Sequence, residues 1–416
     1  MFDRLVVRNF LLYGLYQAMR LGFPLIATPF LTHVLKRDGF SDFAVINSCL
    51  WTSTVFMEFG FFLYGISKTA AAVTDAELRE VVSSISMSKL SLAPVSIVIY
   101  LAMAATTGVL MRAPAATAFG LVGALGYGGS LAWFFQGRQK GLTAVLTEAV
   151  PQVIQFALLL SFVRSPSDLW LVFALQAIPP VSSITYSIVY LKRAGLLAVT
   201  SFDTIFATLK AAWPFFVERF CNATYTAVMP ALILLLSTKS EVAYYSIGDR
   251  VGTLIISLCQ PLNQAFLPRV AKAAQAPDGG WRLSWGLVAF EIGVIAVFAA
   301  MIYAVIGYVI GRFFTPDYAP ATLVAQIFCV IACVLAVSNT LASFILIPRD
   351  RAGVLVWSSA LALIVGLATQ VAVIPIWGAP GAAFGRLISQ TAVVLVLGLA
   401  AVRLYRQRKA GAPTKP

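Results

Sequence analysis

Phe23 to Gly60, FPLIATPFLTHVLKRDGFSDFAVINSCLWTSTVFMEFG, decides the fold: two long apolar segments meet at a short polar turn, and charges persist within both. Each segment is close to the length of about 20 residues that crosses roughly 30 Å of hydrocarbon as a helix. The pair reads as a membrane hairpin and not as a water-soluble core.

Outward from this hairpin the chain keeps the same character. Its 416 residues are 60% hydrophobic and only 11% charged, with a mean hydropathy of +0.87, the composition of a protein whose solvent is mostly lipid. Apolar runs recur near 9–31, 42–65, 88–110, 115–136, 142–163, 168–191, 211–236, 242–268, 284–310, 317–346, 354–376 and 380–402. Lipid cannot satisfy exposed backbone groups, and the ten-residue alternation of barrel strands is absent, so these runs must be helices. The expected fold is all-α, a polytopic membrane protein of about 12 transmembrane helices. The charged lead MFDRLVVR runs straight into a full-length span, which predicts an uncleaved start.

The formal net charge of +13 has a topological explanation. Of the 30 Lys and Arg residues, 20 fall on the loops of one side, Lys89 among them, against 6 on the other, with Arg20, Arg219, Arg250 and Arg386 inside spans. The positive-inside bias places both termini in the cytoplasm. Basic loops here orient the chain and bind no nucleic acid.

A shift of 201 residues lays Pro29 on Pro230, Phe43 on Tyr244, Ile46 on Ile247 and Lys68 on Arg269. This suggests a repeat of six spans, with both halves sharing one orientation. The expected domains are an N-terminal bundle at 1–195, a cytoplasmic linker at 196–210, a C-terminal bundle at 211–403 and a basic tail at 404–416. Thr74 and Glu77 have capping-box spacing and predict a short helix on the inner surface ahead of the third span. The five cysteines all fall within spans and read as apolar filler. His33, the single histidine, reads as a solvated residue at an outer helix end.

Several segments together carry a resemblance. PFLTHVL at 29–35, the turn KRDGFSDFA at 36–44, EFGFFLYGISKTAA at 58–71, WFFQGRQKG at 133–141, WPFFVERF at 213–220, YYSIGDRVGTLIISLCQPLNQAFLPRV at 244–270 and GAPGAAFGRLISQ at 378–390 occur in family order and spacing. The chain resembles the lipid-linked oligosaccharide flippases of polysaccharide and O-antigen biosynthesis, within the multidrug/oligosaccharidyl-lipid/polysaccharide exporter superfamily. It departs from them at His33, where the family often has Arg, and at Lys36, where it often has Gly.

The resemblance implies a V-shaped pair of six-helix bundles around a central cavity that opens alternately to each side. It implies a bacterial inner-membrane transporter, not an enzyme, with no cofactor. The cargo would be a polyprenyl-pyrophosphate-linked oligosaccharide moved to the outer leaflet, with membrane lipids, a polysaccharide polymerase and glycosyltransferases as partners.

The four arginines inside spans demand an explanation independent of the likeness, because each costs about 2.5 to 3.5 kcal/mol at a helix centre on insertion scales. A hydrated cavity for an anion supplies one, and guanidinium groups present planar bidentate donors to phosphate oxygens. Arg20 is the first candidate, since its span has no acidic residue, and Tyr13 and Tyr16 share its helix face. Arg219 and Arg250 line the cavity or pair structurally, with cross-pairing of Glu218 to Arg250 or Asp249 to Arg219 as the structural alternative. Arg386 lies near the outer boundary, where snorkelling explains it equally well.

Should H⁺ or Na⁺ drive transport, Glu58, Asp249 and Glu218 are the candidate coupling carboxyls. Glu58, Glu148 and Glu291 lie toward the cytoplasmic ends of their spans, where partial hydration would keep them charged without a role. Prolines within spans read as hinges or as static kinks. No phosphate-cradling glycine loop, zinc spacing or nucleophile elbow is present. Competing readings are a proton- or sodium-coupled drug or organic-cation exporter of the same superfamily, and a membrane scaffold for polysaccharide assembly that moves nothing.

Overall fold

The computed structural model describes residues 4–138, 140–259, 280–349, 351 and 353–409, with isolated positions between 262 and 273. The side chains of 4–21, 24–25, 141, 144, 218, 221–226 and 408–409 lie outside that description. Among the described residues every regular element is helical.

Among the described residues, eight helices are long and apolar enough to cross a membrane. Two of them, Ile26–Ala71 at 46 residues and Gly353–Gln407 at 55, have length for two crossings each. With the helices at 202–227 and 239–256, which carry Arg219, Asp249 and Arg250, the set is consistent with the twelve spans expected. Two compact units divide the chain, Met1–Leu235 and Leu236–Pro416. This packing boundary lies one span beyond the linker expected at 196–210, because the helix after that linker packs within the first unit.

In the first unit, α1 (Arg4–Glu58) bends at Lys36, whose φ of 60° and ψ of 179° interrupt the helix. The polar turn of the opening hairpin is thus concentrated in one residue, at a dihedral pair that glycine alone adopts without strain. Helices α2 (Phe61–Ala71), α3 (Asp75–Thr106), α4 (Val109–Arg112), α5 (Pro114–Gly128), α6 (Ala132–Gly137), α7 (Gly141–Phe162), α8 (Leu169–Gln176), α9 (Ile178–Arg193), α10 (Phe202–Ala227) and α11 (Met229–Leu236) follow. One core of this unit is aromatic, built on Phe61, Trp133, Phe134 and Phe135 with Leu78 and Val82.

The capping box is present: the Glu77 amide donates to Thr74 Oγ1 at 3.2 Å, and Glu77 Oε2 accepts from the Thr74 amide at 3.4 Å. It opens the third span itself, correcting two expectations. There is no separate surface helix, and Lys89 is not a loop residue. A good cap satisfies the first orphan amides, so the helix begins at Asp75, well before the hydropathy rises.

In the second unit, α12 (Lys239–Ile256), α13 (Trp281–Phe313), α14 (Ala321–Thr340) and α15 (Gly353–Lys409) are the main helices. A π-helical turn at Leu341–Leu346 ends the tenth span. Arg349 holds that end together: Nη1 donates to the carbonyls of Phe344 and Ile345, Nη2 reaches Ser284 Oγ at 3.2 Å, and the guanidinium stacks 3.9 Å from the Trp281 ring centre. Non-helical geometry at Gly378 (φ 58°, ψ −133°) separates the last two spans. Glu241 caps the restart by accepting from the Ala379 amide at 2.6 Å.

Candidate functional site

Glu58 ends α1. Phe59 and Gly60 both take positive φ, 49° and 72°, so the helix stops and exposes amides at the start of α2. The Glu58 carboxylate accepts from Gly60 N at 3.2 Å and Phe62 N at 2.7 Å, placing negative charge on a helix N-terminus. Gly60 also lets another backbone come close: a Cβ there would lie 2.6 Å from the Phe215 carbonyl carbon and 2.7 Å from Phe216 N.

That approach brings α10 against the break. In WPFFVERF, Phe216 and Arg219 are three apart and share a helix face. Phe216 stacks on Phe59 at 4.3 Å between ring centres, and Arg219 Nε then reaches Glu58 Oε2 at 3.4 Å. The two ends of this pair differ in environment: the Glu58 side chain is 10% exposed, whereas that of Arg219 is 55% exposed. Arg219 lies eight residues beyond the expected start of its span, about 12 Å along a helix.

A third charge completes the layer. Lys89, 3% exposed, donates from Nζ to the carbonyls of Gly128 at 3.0 Å and Ser130 at 2.8 Å, placing positive charge at the C-terminus of α5. It is close enough to interact with the Glu58 charge. Sequence reasoning missed Lys89. The signal that could have found it is the polar run SSISMSKLS at 83–91 inside a spanning helix, an uneconomical place for serines unless something polar is buried there.

The second unit has its own pair, buried on the arginine side. Tyr245 and Asp249 are four apart on α12 and so share a face. Asp249 Oδ1 accepts from Arg386 Nη1, Tyr245 Oη lies 3.5 Å from the same nitrogen, and the Phe328 ring centre is 5.2 Å from the guanidinium carbon. Arg386 is 8% exposed. It is therefore paired and buried, which corrects the snorkelling expected of it. The cross-pairing of Asp249 with Arg219 is likewise replaced: Asp249 is held by Arg386, and Arg219 by Glu58. Arg250, one position after Asp249, leaves α12 about 100° away and is half-buried.

The side chains of Arg20, Tyr13, Tyr16 and Glu218 lie outside the described residues. The structure thus brings Glu58 together with Arg219, and Asp249 with Arg386. A groove of about 620 Å³ runs along α13, lined by residues including Leu258, Phe290, Val294, Val297 and Met301. Its lining is wholly apolar, so it offers nothing to an ionic headgroup.

Known proteins resemble this chain in sequence and in fold. A family model described as polysaccharide biosynthesis protein matches residues 6–274. Two proteins named "Putative O-antigen transporter" are similar: one from Shigella dysenteriae, 24% identical over 354 residues that cover 84% of this chain and 88% of that protein, and one from Escherichia coli (strain K12), 22% identical over 273 residues covering 64% of each. Among solved structures, an inward-facing multidrug resistance MATE family transporter of the MOP superfamily superimposes with a TM-score of 0.70 at 11% identity, over 95% of this chain and 96% of that one. The lipid II flippase MurJ in an inward closed conformation gives 0.67 at 12% identity, over 95% and 87%. At such identities the structural likeness establishes the fold, a polytopic all-helical transporter architecture.

Proposed function

The chain belongs to the polysaccharide biosynthesis protein family, and from that premise we propose that it is a flippase carrying polyprenyl-pyrophosphate-linked oligosaccharide from the cytoplasmic to the outer leaflet of a bacterial inner membrane. The observation that carries this reading is Arg219. Its side chain is more than half exposed, on a helix we read as spanning the membrane, while one nitrogen rests against a buried carboxylate. An exposed cation on such a helix needs water or an anion.

The chemistry then follows from competition. In the absence of cargo, Glu58 holds Arg219 through a single long contact. A diphosphate carries more charge and accepts bidentate hydrogen bonds that one carboxylate oxygen at 3.4 Å does not, so it displaces Glu58 from the guanidinium. The amides of Gly60 and Phe62 hold Glu58 meanwhile, and the pair re-forms when the headgroup departs. Arg20, Arg250, Tyr13 and Tyr16 are the further residues we propose for the cargo, the arginines for phosphate and the tyrosines for sugar. Alternating access carries the headgroup across, both termini remain cytoplasmic, and glycosyltransferases and a polymerase act before and after the crossing.

An organic-cation exporter would need carboxylates open to its cargo. Glu58 and Asp249 each already hold an arginine, which favours the anionic load. Removing one charge-assisted contact weakens binding by about 10- to 100-fold. Arg20→Ala and Arg219→Ala are each expected to reduce flipping of lipid-linked oligosaccharide in proteoliposomes by that factor, and to deplete surface glycan in cells that accumulate the variant normally. Full surface glycan in both variants would count against a flippase that uses these groups and would favour the scaffold reading.

A further inference from the structure

Glu291 has no place in the site described so far. On α13 the buried stripe reads Trp281, Ser284, Val288, Glu291, Ile295 and Ala299, so a carboxyl occupies a core position. It is 1% exposed, which removes the partial hydration expected of it. Neither carboxylate oxygen has a hydrogen-bond partner among the described residues.

Its surroundings are aliphatic and thiol. Cys259 lies beside the carboxyl without a well-formed hydrogen bond to it. The adjoining cluster is Ile255, Ile295, Ala299, Cys329, Ala332 and Ala336, with Cys333 at its edge. Among the described residues, the ionisable groups on the elements packed against α13 are the three thiols, Lys239, Glu241, Tyr244, Tyr245, Asp249 and Arg250 on α12, Asp317 and Tyr318 at its far end, and Tyr405 against Trp281. Asp249 and Arg250 precede Cys259 by ten and nine residues, about 14 Å along a helix. Arg349 is engaged two turns inward at Ser284.

The comparison with the other acids at depth is decisive. Glu58 has Arg219 and Asp249 has Arg386, whereas Glu291 has no cation beside it among the described residues. An unpaired carboxylate sealed in apolar surroundings is strongly disfavoured, and the group neutralises instead. Sodium would require several oxygen ligands, and no cluster of three His, Cys, Asp or Glu exists among the described residues. A proton satisfies such a carboxyl without any further ligand.

We propose that Glu291 is the proton-carrying carboxyl of the second unit, deepening the transport reading with its energy source. The proton rides on a carboxyl oxygen while α13 is packed against the eighth and tenth spans. It passes to water when that contact opens inward, and a proton from the outer phase replaces it on the return. One proton thus moves inward for each headgroup that moves outward.

The first test needs no sugar. Dicyclohexylcarbodiimide enters lipid and condenses with protonated carboxyls, so the purified protein in bilayers should be labelled at Glu291 at neutral pH, ahead of Glu58 and Asp249, with mass spectrometry locating the adduct. Labelling should fall as pH rises and vanish in Glu291→Gln. The second test is transport under an imposed gradient. One proton per cycle makes the accumulation ratio of lipid-linked oligosaccharide rise about tenfold per pH unit; in Glu291→Gln that response should be lost while cargo binding persists.

Absence of label at Glu291 at every pH, or a full gradient response in Glu291→Gln, overturns the proposal and leaves the flippase reading standing. If wild-type protein moves no lipid-linked sugar, that reading fails, and the labelling still decides whether Glu291 holds a proton. Should Glu291→Gln not accumulate, labelling of the wild-type protein across pH decides alone.

Discussion

Asp249→Ala is expected to destabilise the second unit by about 3 to 5 kcal/mol, the range for breaking one side of a buried ion pair. The physical reason is what remains. The Arg386 side chain, 10% exposed, keeps the Tyr245 hydroxyl and the Phe328 face but loses its countercharge. Thermal unfolding of the detergent-solubilised protein reads this as a large drop in midpoint. Removing both charges with Asp249→Ala and Arg386→Met should restore stability to within about 1 kcal/mol of wild type, because buried pairs are often neutral when replaced by apolar residues. A single variant that melts like the parent would mean that the pair is solvated.

Gly60→Ala is the other substitution with a large expected effect. Its Cβ meets backbone atoms of Phe215 and Phe216 at 2.6 and 2.7 Å, and backbone does not swing aside as a flexible side chain would. Overpacking costs about 1 to 3 kcal/mol, and a β-carbon at positive φ adds roughly 1 to 2. Gly195 supplies an internal control, having φ of 67° but nothing within 4 Å of its missing Cβ. Gly195→Ala should therefore show the backbone strain alone. Equal losses for the two variants would remove the close approach of α10 from the account. If the loss is larger at Gly60, the Glu58–Arg219 contact should loosen with it, since Phe216 on Phe59 is what delivers Arg219.

Much of this was readable in the chain. Segment length and hydropathy located the helices because lipid permits little else, and Thr74 with Glu77 announced a helix start by chemistry alone. The same cap shows why hydropathy misplaced the third span: it nucleates helix before the apolar run, and so Lys89 was counted as a loop cation. Arg20, Arg219 and Arg250 stood out through the expense of charge in lipid, but their partners did not. Glu58 and Arg219 are 161 positions apart, and Asp249 and Arg386 are 137. Periodicity fixes which residues share a face of one helix, whereas the rotation and depth of one helix against another depend on packing such as Phe216 on Phe59. Glu291 illustrates the same limit, since only its neighbours distinguish a hydrated surface acid from a sealed one.

Recognition of diphosphate by the exposed Arg219 side chain carries the proposed function. It is tested most directly by the affinity of the protein in nanodiscs for polyprenyl diphosphate against polyprenyl monophosphate. The account predicts a clear preference of wild-type protein for the diphosphate, weakened by salt, and a loss of about 10- to 100-fold in that affinity for Arg219→Ala. Equal binding of the two headgroups by wild-type protein, or an undiminished preference in Arg219→Ala, would contradict it.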